Sequence, residues 1–236
     1  MSVPLQALST KSIKRFEATT VYSHPHATAD IVLVHGLNGS PEHTWTASNG
    51  VFWPIQLLVP TLVDAPANII VYGYNADVAS WKKDSSPTDN FVHQHAQDLV
   101  MHLATHRRNA GTTRNPIIWV CHSLGGIVTK RALLYANDVR DPELEICRSI
   151  YVSTYAMIFL GTPHAGSNLA QWGHILQAMS GIVPRKMFDS EPVLLKTLKK
   201  DNVVLQDINL HFLDIYRRFK IHMVRENRKT DLKWTV

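Results

Sequence analysis

The chain has 236 residues, a mass of 26.6 kDa and a formal net charge of +5. Its 45% apolar and 18% charged residues exclude a mainly disordered chain, and its length suits one α/β domain. The 24 lysines and arginines are scattered without interleaved aromatic residues, which argues against a nucleic-acid surface. Two cysteines, Cys121 and Cys147, can build neither a disulfide framework nor a zinc site, so we expect a reducing, intracellular compartment and no metal.

The amino-terminal residues contain no apolar signal-peptide core, although their basic residues form a weak mitochondrial presequence pattern. Residues 149–184 carry no charged side chain, but their apolar part, residues 150–160, is too short to cross a bilayer. We therefore divide the chain into an amino-terminal extension, residues 1–19, and a single domain, residues 20–236.

Short β-branched or aromatic runs alternate with helical patterns along the domain. This alternation predicts an α/β fold, with a mostly parallel sheet and helices on both faces. In such a sheet, chemistry collects at the carboxyl ends of the strands. The predicted strands are residues 31–34, 68–72, 116–121, 155–160 and 219–224, and the predicted helices are residues 89–108, 124–137 and 203–218.

Three segments with small and polar residues follow predicted strands directly. They are residues 35–40 (His-Gly-Leu-Asn-Gly-Ser), 121–126 (Cys-His-Ser-Leu-Gly-Gly) and 161–167 (Gly-Thr-Pro-His-Ala-Gly-Ser). Because parallel strands end at the same edge of a sheet, we expect these segments to lie together.

The middle segment has the pattern of a nucleophile elbow. Ser123 stands between a buried strand and a helix that begins Leu-Gly-Gly, so a tight turn would lift its hydroxyl above the sheet. Gly125 matches the second glycine of the G-x-S-x-G motif, whereas Cys121 replaces the first. We predict that the backbone N–H groups of Leu124, at the helix amino terminus, and of Leu37 form an oxyanion hole.

These segments, with residues 72–77 (Tyr-Gly-Tyr-Asn-Ala-Asp), resemble the α/β-hydrolase superfamily. More narrowly they resemble the serine active-site-containing protein group and related lipase-like domains, including those at the amino ends of fungal NLR-like receptors. The resemblance covers roughly residues 20–236. It implies an esterase or lipase-like activity on an acyl ester. No cluster of metal ligands is visible in the sequence, so we expect no cofactor. The resemblance also implies phospholipid handling, with peripheral membrane association, at the mitochondrion or endoplasmic reticulum. It makes His35, Gly36, His122 and His164 residues that line the site.

The family order of the catalytic residues is serine, acid and then histidine. The acid normally follows the strand that is here predicted at residues 219–224, which points to Glu226. Asp231 is the substitute, and Asp77 and Asp189 are further alternatives.

No histidine in this sequence follows His222, and neither His211 nor His222 matches the position of a general base. A serine hydroxyl without a base is a poor nucleophile, so we expect residues 1–236 alone to be a weak or inactive hydrolase. The last strand of the family is also missing, so we expect that a continuing chain or a partner covers the strand at residues 219–224. The alternative function is a non-catalytic signalling or scaffold module, and amide or thioester cleavage would use the same site.

Residues 167–202 occupy the interval in which these enzymes carry a lid. Their apolar residues recur at three- and four-residue spacing, which suits either a cap over an acyl pocket or a helix packed on the core.

Overall fold

Six strands form one sheet in the computed structural model, which describes residues 12–76, 88–162, 164 and 206–224. Their order across the sheet is β1-β3-β2-β4-β5-β6, and every neighbouring pair is parallel except β1 with β3. The predicted α/β fold with a mostly parallel sheet is confirmed. The strands are β1 (Ala18–Tyr22), β2 (Ala29–Val34), β3 (Ala67–Tyr72), β4 (Ile117–His122), β5 (Thr154–Leu160) and β6 (Lys220–Val224).

Helices flank this sheet. The α-helices are α1 (Thr88–Asn109), α2 (Leu124–Asp138), α3 (Glu145–Ser153) and α4 (residues 206–212). Within the described residues, no helix combines the length and apolar character needed to span a membrane. Short helical turns occupy His43–Trp45, Pro54–Leu58, Val59–Thr61, Pro142–Leu144 and Tyr216–Arg218.

Alternate residues of the central strands supply two separate cores, because successive side chains of a strand point to opposite faces. On one face Val32 and Val34 pack in a cluster with residues of the four described α-helices. On the other face Ile31 and Leu33 pack with Trp45 and the segment that follows β2. The near-continuous apolar run of β2 is therefore explained by burial on both sides.

Three elements differ from the sequence-based expectations. β1 and α3 were not predicted, and α3 runs directly into β5. The predicted helix at residues 203–218 is shorter where the structure describes it: α4 ends at residue 212, and i to i+3 hydrogen bonds tighten the chain up to Ile215. The apolar spacing continued through this turn, so periodicity alone could not locate the helix end.

β6 is the last strand in the order of the sheet. Its last two residues, Met223 and Val224, are 52% and 45% exposed. An apolar sheet edge at this strand was expected. The predicted lid, residues 167–202, and most of the extension at residues 1–19 lie outside the described residues.

A buried ion pair lies at the amino-terminal ends of the central strands. The Nε of Arg107, near the end of α1, donates to Oδ2 of Asp30, at the start of β2, over 2.8 Å, and both side chains are completely buried. The Asn68 and Asn115 amides donate to Oδ1 of Asp30 at 2.9 and 3.2 Å. Arg107 also donates to the backbone carbonyls of Thr112 and Asn115. The network thereby ties α1 to the beginning of the central strands.

We predict that Arg107→Met lowers the free energy of unfolding by about 3–5 kcal/mol, because it leaves the Asp30 carboxylate buried without its counter-ion. Urea unfolding followed by circular dichroism measures the change. Adding Asp30→Asn should recover part of the loss, and Arg108→Met, at the exposed neighbouring position, should cost little. Equal stabilities of the Arg107 and Arg108 variants would contradict this assignment.

Candidate active site

Ser123 has a left-handed backbone between β4 and α2, with φ 50° and ψ −122°. A non-glycine residue rarely adopts this conformation, and its strain is typical of the sharp strand-to-helix turn that presents a nucleophile. The Ser123 N–H donates to the Leu160 carbonyl at 2.9 Å, which joins the turn to the end of β5. The side chain makes no capping bond to α2, and its buried hydroxyl has no hydrogen-bond partner among the described residues.

Glycines allow the chain to close tightly around this turn. A Cβ on Gly36 would lie 2.8 Å from the Cβ of Ser123, and one on Gly125 would overlap the carbonyl of His35. On the far side, a Cβ on Gly126 would overlap the side chain of Thr162. The ends of β2, β4 and β5 therefore meet at the first turn of α2, as the three sequence segments predicted.

Cys121, which stands at the first glycine position of the motif, is fully buried. Its Sγ contacts the Thr129 hydroxyl at 3.3 Å, and burial raises the pKa of the thiol to about 12. The thiol is thus neutral at physiological pH and is no rival nucleophile to Ser123.

The two backbone groups expected to form the oxyanion hole belong to the residue after Ser123 and to the loop after β2, which approaches Ser123 at Gly36. Leu124 is the first residue of α2, so its N–H has no intrahelical acceptor. Leu37 is buried, and no backbone acceptor for its N–H is found in the described part of the chain. The following residue, Asn38, has φ 53° and donates its N–H to the Ala76 carbonyl at 2.8 Å, which fixes the loop after β2. The oxyanion hole stays a prediction.

His35 is a framework residue of this loop. Its Nε2 accepts from the Tyr74 N–H at 3.3 Å, so the ring proton is on Nδ1, which bonds to the Gly36 carbonyl at 2.9 Å. The ring stacks on Tyr74 with centroids 4.5 Å apart, and the Tyr74 hydroxyl donates to the His35 carbonyl. Burial lowers the pKa of His35 to about 4. With both nitrogens engaged, His35 is not placed to accept a proton from Ser123.

The other described residues that the sequence predicted for the site make no hydrogen bond to the Ser123 hydroxyl. The His122 ring meets the buried Trp45 ring edge-on at 6.5 Å, and His164 contacts Lys130, at 2.8 Å, rather than the serine. Nothing in the described ranges bonds to the Ser123 hydroxyl. His211 is exposed beside Asp207, and His222 is exposed on β6. Glu226, Asp231, Asp77 and Asp189 lie outside the described residues.

Sequence reasoning did not identify the roles of Tyr74 and Lys130. Tyr74 stands in the Tyr-Gly-Tyr segment that carried the family resemblance, but its stacking on His35 joins positions 39 apart in sequence. Lys130 lies among apolar residues of α2, and a charged residue within an apolar helix pattern was the available signal.

We predict that acidification from about pH 6.5 to about pH 4 destabilises the protein through His35. The folded-state pKa is below the ordinary value of 6.5, so the unfolded chain binds a proton in this window that the folded protein does not. Urea midpoints measured across this range should fall less steeply for His35→Asn than for wild type. His95 and His106, whose pKa values burial also lowers, contribute equally to both slopes. Replacement of the exposed His43 by Asn is the control, and an unchanged slope for His35→Asn would refute the assignment.

We also predict that Gly125→Ala disrupts the serine turn, because the added methyl group would overlap the carbonyls of Val34 and His35. The expected cost is about 1–3 kcal/mol of stability, measured by urea unfolding. Gly111→Ala is the comparison: its added methyl group meets no atom within 4 Å, so its cost comes from the positive φ of Gly111 alone. A smaller loss for Gly125→Ala than for Gly111→Ala would be inconsistent with the close approach.

Comparison with known proteins agrees with this geometry. The family described as Alpha/beta hydrolase family matches residues 31–220. Protein SERAC1 of Danio rerio is 29% identical over 215 residues, covering 82% of this chain and 29% of that protein. Protein SERAC1 of Homo sapiens is 27% identical over 203 residues, covering 79% and 28%. The chain therefore spans less than a third of the length of these relatives.

Among solved structures, the mature form of Bacillus licheniformis lipase BlEst2 has a TM-score of 0.51 and 20% identity, over 87% of this chain and 69% of that chain. This likeness concerns the fold. Because the family match covers most of the sequence and the sheet order and serine turn agree with it, the chain belongs to the alpha/beta hydrolase family.

Proposed function

We propose that this chain is a serine hydrolase domain that cleaves an acyl ester, with Ser123 as its nucleophile. The observation that carries this proposal is the left-handed turn at Ser123, whose hydroxyl neither caps α2 nor bonds to another described residue. An ordinary helix-capping serine would bond to a backbone N–H of the first turn. Here the hydroxyl is held apart from that bond at the carboxyl edge of the sheet, where α/β enzymes bind their substrates.

In the proposed reaction, the Ser123 oxygen forms a bond to the ester carbonyl carbon while a general base takes its proton. The carbonyl oxygen becomes an oxyanion, which the N–H groups of Leu37 and Leu124 stabilise. The carbonyl re-forms as the alcohol leaves with the proton, and water then releases the acid from the acylated serine by the same two steps.

We assign the acid that orients the base to Glu226. The base itself would be a histidine, which in the family order follows the acid. Among the described residues, both nitrogens of His35 are engaged in the framework and Nδ1 of His164 is directed to Lys130, so these nitrogens do not serve as the base.

The engagement of His35 and His164 in the framework also favours the second candidate function. This function is a non-catalytic signalling or scaffold module that retains the fold. A serine hydroxyl with no base would bind acyl-like ligands without fast turnover. The two functions differ in whether Ser123 reacts with an activated electrophile.

The finer substrate class follows from the resemblance to lipase-like domains. We propose a phospholipid-related acyl ester, met in peripheral association with a mitochondrial or endoplasmic-reticulum membrane. The likeness of the fold to that of a lipase supports an acyl-ester substrate. The single domain at residues 20–236, with a cap at residues 167–202 over the acyl group, belongs to the same proposal.

We predict that a fluorophosphonate probe labels Ser123 slowly, at the residual reactivity that the oxyanion hole and binding leave without a base, and that Ser123→Ala abolishes the labelling. Ser149→Ala is the matched control, because the Ser149 hydroxyl on α3 bonds to the Ile146 carbonyl and should not react. Labelling is read by intact mass and peptide mapping, after a cooperative thermal transition has shown that each variant is folded. Labelling at a different serine would refute the nucleophile assignment, and a folded protein that does not react supports the non-catalytic alternative.

Hydrolysis of a p-nitrophenyl ester by residues 1–236 should be slow. Without the triad base, a rate of roughly 10³–10⁴ over water is expected from the oxyanion hole and binding. Fast turnover that Ser123→Ala abolishes would show instead that a histidine of this sequence acts as the base.

A further inference from the structure

Lys130 is a buried lysine without a carboxylate partner in the described part of the chain. It lies on α2, two turns after Ser123, and is only 3% exposed. A buried ammonium group is costly unless its protons are bonded. The contacts of its ammonium group therefore indicate the role of this lysine.

The Lys130 ammonium group bonds two other elements. Its Nζ is 2.8 Å from Nδ1 of His164, just after β5, and 2.5 Å from Oδ1 of Asn209, on α4. It also lies over the rings of Phe159 and Phe212, 5.2 and 5.4 Å from their centroids. One cation thus joins α2, the segment after β5, and α4 through hydrogen bonds and cation–π contacts.

The contact with His164 fixes a protonation state. An ammonium group has only protons to donate, so Nδ1 of His164 is the acceptor and the ring proton is on Nε2. Adding a second proton to the ring would place two cations 2.8 Å apart. Burial lowers the pKa of Lys130 to about 8, which leaves the group charged at neutral pH.

The segment that His164 anchors is the one that supports the serine turn. The Leu160 carbonyl accepts the Ser123 N–H, and Thr162 packs so closely against Gly126 that no side chain fits there. Gly161, between them, has φ 59°. Residues 160–162 are thereby held by the serine turn, and His164 is held by Lys130.

We propose that Lys130 is a positioning residue for the reaction at Ser123: it holds neutral His164 at Nδ1 and so fastens the end of β5 and residues 160–162 against the serine turn. This role rests on the proposed function. It also excludes Nδ1 of His164 as the general base, because that nitrogen is occupied by a donor.

The test uses Lys130→Met, which keeps the length of the side chain and removes its charge and donors. Lys220→Met is the matched control, since Lys220 is an exposed lysine that also lies over an aromatic ring, that of Tyr155. Histidine ¹⁵N NMR at pH 6.5, with His164 assigned from His164→Phe, reports the tautomer. Ester hydrolysis and the rate of fluorophosphonate labelling report the position of Ser123.

Wild type and Lys220→Met should show His164 with its proton on Nε2, and Lys130→Met should lose this single tautomer. For Lys130→Met we expect kcat and the labelling rate to fall about 10- to 100-fold with KM changed less than about threefold, because misplacement of the serine affects reaction more than binding. His164→Phe should show the same kinetic loss. A proton on Nδ1 of His164 in wild type would overturn the proposal, and so would unchanged kcat in folded Lys130→Met.

If Lys130→Met does not fold, the tautomer of His164 in wild type and the kinetics of His164→Phe decide whether the proposal stands. If wild type shows neither turnover nor labelling at Ser123, the proposed function fails. The tautomer spectrum then decides the contact between Lys130 and His164 independently of any reaction: a proton on Nε2 of His164 supports it, and a proton on Nδ1 overturns it.

Discussion

The left-handed backbone of Ser123 is the constraint that shapes the carboxyl edge of the sheet. It reverses the chain from β4 into α2 within one residue, at a cost of about 1–3 kcal/mol. The reversal brings α2 so close to the ends of β2 and β5 that Gly125 and Gly126 have no room for side chains. Burial of most of α2 between the sheet and its neighbouring helices offsets the strain, so the same packing that stabilises the fold holds the serine in place.

Buried polar groups lie at both ends of the central strands. At the amino end, both carboxylate oxygens of Asp30 accept hydrogen bonds and the charge of Arg107 balances them, although Nη1 of Arg107 and the Thr112 hydroxyl have no partner among the described residues. At the carboxyl end, the buried hydroxyls of Ser123 and Thr162 likewise have no partner in the described ranges. A buried unsatisfied group calls for an explanation, and for Ser123 the candidate active site supplies one.

Neutral histidines around the serine are held by donors and acceptors of the framework. The Tyr74 N–H and the Gly36 carbonyl engage the two nitrogens of His35, and Lys130 engages His164. Each contact stabilises one tautomer and opposes a second proton, through burial in one case and a neighbouring cation in the other. These rings support the backbone of the site, which leaves the transfer of the Ser123 proton to a group outside them.

The sequence by itself determined the α/β class, five of the strands and the turn at Ser123, because short β-branched runs and small residues around a serine are local patterns that few backbones satisfy. It also predicted that the loop after β2 lies beside the serine turn, because parallel strands end at the same edge of a sheet. Only the tertiary structure decided the pairing of β1, the length of α4 and the partners of His35 and Lys130. Those contacts join positions far apart, such as Lys130 and Asn209, and local periodicity carries no information about which distant side chain a buried polar group will meet.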